Sequence, residues 1–334
     1  MARLLTFAEI RAGRITRLSL EALSRCREIA GKRHGSTVAA AVMSDNPGAY
    51  FEELARYGVE EVFAVTDTAF ASPPGMPLSA PLTAALAGII GQAAPDVVVL
   101  PSEESVKEIL GALAVRISAP ALPDVSGFDV LDGAVTAQRP VFTAGFIAHV
   151  RAEGSPVLVS LRAGSYAASE KSEPSSQHVR NVPFAFDEKV SGKTLREVVK
   201  AASGGIDLSE ASVVVAAGRG VRDKEGKRLV EELAALLGAA IGASRGAIEA
   251  GLFPPSSLIG QTGKTVSPDV YIAVGISGAL QHVAGMSGSR AVIAINKDAD
   301  APVFRHATYG ITGDLYEVLP AFIEALKKKS STAN

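Results

Sequence analysis

The sequence is poor in several residue types, and each shortage excludes something. There is one cysteine, Cys26, no tryptophan, and aromatic residues make up 5% of the chain. A lone cysteine excludes an intramolecular disulfide framework and a thiolate-built zinc or iron–sulfur centre, and it suits a reducing compartment. Few aromatic rings make a base-stacking platform for nucleic acid an unexpected function. Charge of one sign is also lacking: 33 Lys+Arg against 35 Asp+Glu give a formal net charge of −2. No global field therefore draws in nucleic acid or an anionic membrane. No uninterrupted run of about 18 apolar residues occurs, so no membrane insertion is expected. The most apolar stretches are short, such as Val97–Leu100, and Gly, Pro or charge bounds them. The first residues enter a strand-like pattern at once, without a long apolar core or a small-residue cleavage site. No targeting peptide is read, and a cytoplasmic protein is the expectation. The five histidines, His34, His149, His178, His282 and His306, show no metal-ligand spacing, so no metal is expected.

What remains is ample material for a core. The 334 residues are 47% hydrophobic and 20% charged, which excludes a largely disordered chain. At roughly 150 residues per domain, two domains are expected.

Over the first part of the chain, strand and helix periods alternate. Leu4–Ile10, Thr37–Met43, Val62–Val65 and Val97–Leu100 read as strands. Ser19–Ala30, Tyr50–Tyr57, Leu82–Gln92 and Glu104–Ile117 read as helices, the last with Val106, Ile109, Leu110, Leu113 and Ala114 on one side. Such alternation predicts right-handed βαβ units around a buried parallel sheet. The texture then changes to short β-rich runs, Gly127–Leu131, Ala134–Pro140, Ala148–Val150 and Val157–Leu161, which predict antiparallel additions. Ala167–Asn181 reads as an exposed segment and Glu188–Asp207 as a connector with one short helix. The fold class is α/β in two domains: 1–199, a parallel-sheet domain with β-rich additions, and 200–330, a Rossmann-like domain.

The second domain opens with the β-branched run Val213–Ala217, closed by Gly218-Arg219-Gly220. The helix Lys224–Leu237 follows, with Leu229, Val230, Leu233, Leu236 and Leu237 as its expected inner face and Gly238 as its stop. Ala239–Ala243, Val270–Val274 and Ala291–Ile295 read as further strands and Asp314–Lys327 as a last helix. Lys327-Lys328-Lys329 sits where a helix C-terminus favours cations.

Candidate chemistry gathers in this domain. Gly218-Arg219-Gly220 is close to a dinucleotide turn, but Asp223 stands where the fingerprint wants a third glycine, and a plain tight turn serves equally. Three further glycine-bearing loops follow: 242–246, 260–264 and 275–282. Glycines at strand ends let backbone N–H groups approach an anion, and a neighbouring helix N-terminus adds positive potential. So many loops suit a long, doubly phosphorylated ligand; close packing of a small α/β domain is the competing explanation. Asn296 and Asp314 can reach a ligand from strand ends, or can serve as a turn Asn and a helix cap. Gly242-Ala243-Ser244-Arg245-Gly246 matches a nucleophile elbow by letters, but the domain is small for such a hydrolase.

Several of these strings together carry a resemblance. They are Gly-Ala-Ser-Arg at 242–245, Ile-Gly-Gln-Thr-Gly-Lys at 259–264, and Ser-Pro-Asp-Val-Tyr-Ile-Ala-Val-Gly-Ile-Ser-Gly-Ala-Leu-Gln-His at 267–282. Ala-Ile-Asn-Lys-Asp at 294–298, Ala-Pro-Val-Phe at 301–304 and Gly-Asp-Leu at 313–315 follow. The block closely resembles the α subunit of electron transfer flavoprotein, and the N-terminal half is similar in layout. Two positions depart from the family's usual pattern, Thr308 before Tyr-Gly and Leu280 for Ile.

The resemblance implies an electron carrier rather than a substrate-converting enzyme. It implies a heterodimer with a β subunit, FAD in the C-terminal domain of this chain and AMP in the β subunit. It also implies a one-electron shuttle serving fatty acid β-oxidation, from acyl-CoA dehydrogenases and related flavoenzymes to electron transfer flavoprotein–ubiquinone oxidoreductase. An electron-bifurcating, NADH-linked relative is the alternative; an NAD- or thiamine-diphosphate-binding module is a further one. By position, Arg219, Ser244, Arg245, Ile259, Gly260, Gln261 and Thr262 correspond to FAD contacts. So do Ser277, Gly278, Ala279, Leu280, Gln281 and His282, then Asn296, Asp314 and Leu315. Arg245 and His282 match residues against the isoalloxazine, and Thr262 matches a hydroxyl near its N5. An arginine fits there because its planar guanidinium keeps its charge beside a ring that gains negative charge on reduction.

Overall fold

The structure is a computed structural model that describes residues 2–71, 79–142, 144–186 and 206–332. The short helix expected within 188–207 falls outside the described residues. The chain divides into two compact units, Met1–Val199 and Lys200–Asn334.

Unit 1 is built on a parallel sheet. Its elements are β1 (Arg3–Ala8), the small hairpin β2 (Ile10–Arg11) and β3 (Arg14–Ile15), α1 (Arg17–Gly31), β4 (Thr37–Ser44), α2 (Phe51–Arg56), β5 (Glu61–Thr66), α3 (Ser79–Ala93), β6 (Val97–Pro101) and α4 (Glu104–Arg116). There follow β7 (Ala121–Val125), β8 (Gly127–Leu131), β9 (Ala134–Val141), β10 (Phe146–Glu153), β11 (Val157–Leu161) and β12 (His178–Asn181). The seven-stranded order is β12-β5-β4-β1-β6-β11-β7, with parallel pairings throughout. Successive side chains of β1 point to opposite faces. Leu4 and Ala8 join α1 residues Leu18, Leu23, Cys26 and Ile29 on one side, while Leu5 and Phe7 join Leu86, Ile89, Ile109 and Leu113 of α3 and α4 on the other. The Cys26 thiol is fully buried, accepts a hydrogen bond from the Thr6 hydroxyl at 3.3 Å, and is pushed up to about 12 by burial.

Two expectations for this unit need correction. Val157–Leu161 is not an antiparallel addition: it is β11, buried at every position and parallel to β6. Its five apolar or small residues suit a strand covered on both faces. The segment Ala167–Asn181 is exposed as expected, yet it ends in the edge strand β12, which pairs with β5. The antiparallel addition consists of β10-β9-β8 alone. One face of β9 and β10 packs on the core through Val135, Ala137 and Ala152, then continues outward as the half-buried Val141 and the exposed Phe146. Phe142 and Phe146 meet edge-on at 5.9 Å and are 83% and 68% exposed.

The chain leaves β1 toward β4 and β5, then returns to place β6 on β1's other side. A crevice is expected where such a sheet reverses, at the strands' C-terminal ends. Here that place holds Glu9, Arg11, Glu103 and Ser105. Arg11 bridges both carboxylates at 3.2 Å, and the Ser105 hydroxyl donates to Glu9 at 2.8 Å. Burial pushes the Glu9 carboxyl above its ordinary range, and Arg11 opposes that shift.

Unit 2 contains β13 (Val213–Ala217), α5 (Lys224–Leu237), β14 (Ala240–Ala243), α6 (Arg245–Glu249), β15 (Val270–Val274), α7 (Leu280–Val283), β16 (Ala291–Asn296), β17 (Tyr309–Thr312) and α8 (Leu315–Thr332). The parallel order is β14-β13-β15-β16-β17. Asp223 caps α5 by accepting the Gly226 N–H at 2.9 Å. Gly238 ends that helix in the left-handed region, φ 57°, and Ala239 N–H reaches back to the Ala234 carbonyl, a Schellman closure. Leu229, Val230 and Leu233 are buried as expected; Leu236 is not, at 42% exposure. Strand β17 is exposed at all four positions, so no alternation of apolar residues announced it.

Candidate functional site

The strand order of unit 2 also reverses about its first strand, between β13 and β15. The two loops leaving those strands press together. A Cβ on Gly218 would run into the Gly275 carbonyl, so only glycine allows this approach. Gly278, with φ +85°, would drive a Cβ into the Val303 backbone. These glycines therefore seat backbone against backbone, as the packing explanation holds, and the space in front of the loops stays open.

That space is a cleft of about 850 Å³, within the range of small-molecule sites. Every residue expected from the sequence lines it except Gly278, which is buried, and Leu280, which stands on the surface at 65% exposure. The cleft wall also includes Arg222, Glu249, Lys297 and Asp298, none of which was assigned to the ligand from the sequence. Their signal was positional: each follows closely on a strand or short helix whose neighbours had been singled out.

The polar groups divide into two sets. On one side the Arg245 guanidinium donates to the Thr262 hydroxyl oxygen at 2.9 Å. Both are exposed to the cleft, and the Thr262 hydroxyl, having accepted from a cation, keeps its own hydrogen free to donate. A second set is the backbone N–H groups of the lining residues Ser277, Ala279 and Gln281, which have no acceptor among the described residues. Arg219 is exposed at the lip.

Asn296 and Asp314 carry structural duties as well as lining the wall. Asn296 donates to the Ile276 carbonyl at 2.8 Å, and its Oδ1 accepts from Asp298 N–H at 3.0 Å. Asp314 caps α8 by accepting the Tyr316 N–H at 3.0 Å, and it lies 3.7 Å from the Arg222 guanidinium. Ser244 precedes α6 and has no histidine hydrogen bond among the described residues, so nothing here assembles a hydrolase. The described residues also hold no cluster of three or more metal-ligating side chains, and no helix among them is long and apolar enough to cross a membrane.

His282 is different from the other polar residues of the wall. It is 7% exposed, and burial pushes its pKa down to about 4, so it is neutral. Its Nε2 lies 2.8 Å from the hydroxyl of Tyr271. Its Nδ1 is buried beside the Ile259 carbonyl, which favours a proton there without reaching full hydrogen-bond geometry. Tyr271 was missed in the sequence. The available signal was a phenol inside the otherwise apolar strand Val-Tyr-Ile-Ala-Val, since a buried tyrosine hydroxyl needs a partner.

Comparisons with known proteins agree with this geometry. A family model described as the electron transfer flavoprotein domain matches residues 4–187, and one described as the electron transfer flavoprotein FAD-binding domain matches residues 207–287. The electron transfer flavoprotein subunit alpha of Bacillus subtilis (strain 168) is 36% identical over 326 residues, 98% of each chain. The subunit of that name from Syntrophomonas wolfei is 34% identical over 328 residues, 98% of this chain and 100% of that one. Protein FixB of Clostridium saccharobutylicum is 33% identical over 325 residues, 96% of this chain and 95% of that one. Among solved structures, a thiamine diphosphate-dependent 4-hydroxybenzoylformate decarboxylase of Rhodococcus jostii RHA1 aligns over 92% of this chain and 53% of that one. Its TM-score of 0.23 and 12% identity carry no weight.

Proposed function

The chain belongs to the electron transfer flavoprotein α-subunit family, as an FAD-binding electron carrier, and from that premise we propose how its residues are used. FAD lies in the cleft of unit 2. The observation that carries this reading is the convergence of one open cleft, a row of unspent backbone N–H groups and two arginines at a sheet's reversal point. This donor set fits a dinucleotide: N–H groups and Arg219 suit the pyrophosphate, and Arg245 with Thr262 suits an electron-accepting ring. Bound FAD supplies the ring that takes up and returns electrons.

The chain's own residues then do three things. Arg245 holds a permanent positive charge at the ring's edge, where it favours the more negative reduced form. Thr262, oriented by Arg245, offers its hydroxyl hydrogen to a ring nitrogen. His282 contributes a neutral wall. Asn296, Asp314 and Leu315 close the far end around the adenosine.

The chain works as a heterodimer with a β subunit that holds AMP. Electrons come from acyl-CoA dehydrogenases and related flavoenzymes and leave to electron transfer flavoprotein–ubiquinone oxidoreductase. The exposed Phe142, Phe146 and Ile147 of unit 1, more than half bare in each case, support a partner-binding role for that unit: large apolar side chains clustered at the surface favour burial in an interface.

The test is to purify the chain with its β subunit and record a visible spectrum. A yellow heterodimer, bleached by an acyl-CoA dehydrogenase with its acyl-CoA and re-coloured by the quinone oxidoreductase, is the expected result. A colourless heterodimer would remove FAD from the cleft. A yellow one left unbleached would remove the proposed electron donor.

A further inference from the structure

Tyr271 is fully buried in β15, behind His282. Its hydroxyl has a single partner among the described residues, Nε2 of His282 at 2.8 Å. Two arrangements of one hydrogen could make that contact. If Nε2 carried the hydrogen and donated to the phenol oxygen, the phenol's own hydrogen would be buried with no acceptor, an expensive loss. If the phenol donates, Nε2 is a bare acceptor and the phenol's hydrogen is spent. The ring's proton then resides on Nδ1, which lies beside the Ile259 carbonyl without a full hydrogen bond to it. Among the described residues no carboxylate bonds to either ring, so none of them pulls a second proton onto the imidazole.

We propose that Tyr271 is a positioning residue: its hydroxyl fixes His282 in the Nδ1-protonated, neutral tautomer and turns Nε2 away from the cofactor cleft. Nε2 is thereby committed to the protein, while Nδ1 keeps a hydrogen that has no full hydrogen-bond partner among the described residues. Positive charge at the cleft is left to the arginines and Lys297, and His282 stays neutral. The inference rests on the seating of FAD proposed above.

The experiment uses the heterodimer with 15N-labelled histidine, and the signal that disappears in a His282→Gln variant identifies His282. At pH 7 the expected spectrum has an unprotonated Nε2 and a protonated Nδ1, unchanged at pH 5.5. A protonated Nε2 in the native protein overturns the proposal. The Tyr271→Phe variant then keeps the ring's bulk and removes only the hydroxyl. Its expected signature is loss of the fixed tautomer, with Nε2 gaining a proton, and a positive shift in the flavin's midpoint potential as the freed imidazole offers that proton to the cleft. Unchanged His282 signals together with an unchanged potential would overturn the proposal. If the variant does not fold, the native spectrum alone decides. A colourless preparation would sink the seating of FAD, while the nitrogen signals would still report on the Tyr271–His282 pair.

Discussion

The two units solve the same topological problem in opposite ways. In each, the chain runs outward from a first strand and then crosses back to the strand's other side. In each, the reversal leaves a place for a crevice at the strands' C-terminal ends. Unit 2 furnishes that place with glycines and arginines around a cleft of about 850 Å³. Unit 1 furnishes it with Glu9, Arg11, Glu103 and Ser105, bonded to one another. A buried carboxylate at that position repels a phosphate, and its bridge to Arg11 uses the charge that would attract one. The topology provides the location; the side chains decide whether a ligand is admitted.

The comparison can be broken most severely at Gly218. In Gly218→Val the added side chain meets the Gly275 carbonyl, and overpacking of this kind costs about 1–3 kcal/mol or more. FAD content per heterodimer falls to near zero, measured by absorbance after gel filtration; full retention would show that the loops can part. Next in size is the exposed tip of unit 1. Phe142→Asp with Phe146→Asp weakens association with the β subunit by roughly 2–3 kcal/mol, or about a hundredfold in Kd, read by sedimentation. Undisturbed association would move the partner surface elsewhere on the chain.

Arg245→Ala comes third. Two unit charges ~4 Å apart interact by about 4 kcal/mol at an effective dielectric of 20, and the exposed guanidinium realises part of that. The one-electron potential should fall by on the order of 60 mV, which corresponds to about 1.4 kcal/mol. A potentiometric titration that matches the native protein would free Arg245 of the role.

The smallest effects contrast the units by pH. His282 has a folded pKa lowered from 6.5 to about 4, so the unfolded chain binds its proton first as pH falls. Unit 2 should therefore lose about 1 kcal/mol of stability between pH 7 and pH 5.5 through this residue. Denaturant titrations followed by flavin release would show it, and His282→Gln would flatten it. Glu9 runs the other way. Its folded pKa is raised above 4.5, so the folded state holds its proton longer and stability drains as pH rises through that range. Glu9→Gln should gain on the native protein as pH rises from about 4.5 to about 7. A constant difference across that window would show the carboxylate fully compensated by Arg11.

Much of this was legible in the sequence, for identifiable reasons. Long amphipathic helices such as α4 and α5 and β-branched runs such as β6 and β13 announce themselves because burial imposes a period. Short or exposed elements have no such constraint. His178–Asn181 and Tyr309–Thr312 are edge strands with every residue exposed, so burial imposes no period on their side chains. The parallel pairing of β11 was hidden because it depends on β6, more than fifty residues earlier. At the site, the loop glycines were readable from their order along the chain, while most of the lining residues came from the resemblance to the electron transfer flavoprotein α subunit. The partnership of Tyr271 with His282 was not, because it joins a strand interior to a loop and leaves no mark except an oddly placed phenol.

The buried thiol has a practical consequence. Cys26 is the only cysteine in the chain, is inaccessible in the native fold and ionises only near pH 12. A thiol-reactive dye should therefore ignore the native α subunit and label it only when unit 1 opens. Loss of flavin colour would time the opening of unit 2. One sample followed at two wavelengths could then show whether the halves come apart together or one after the other.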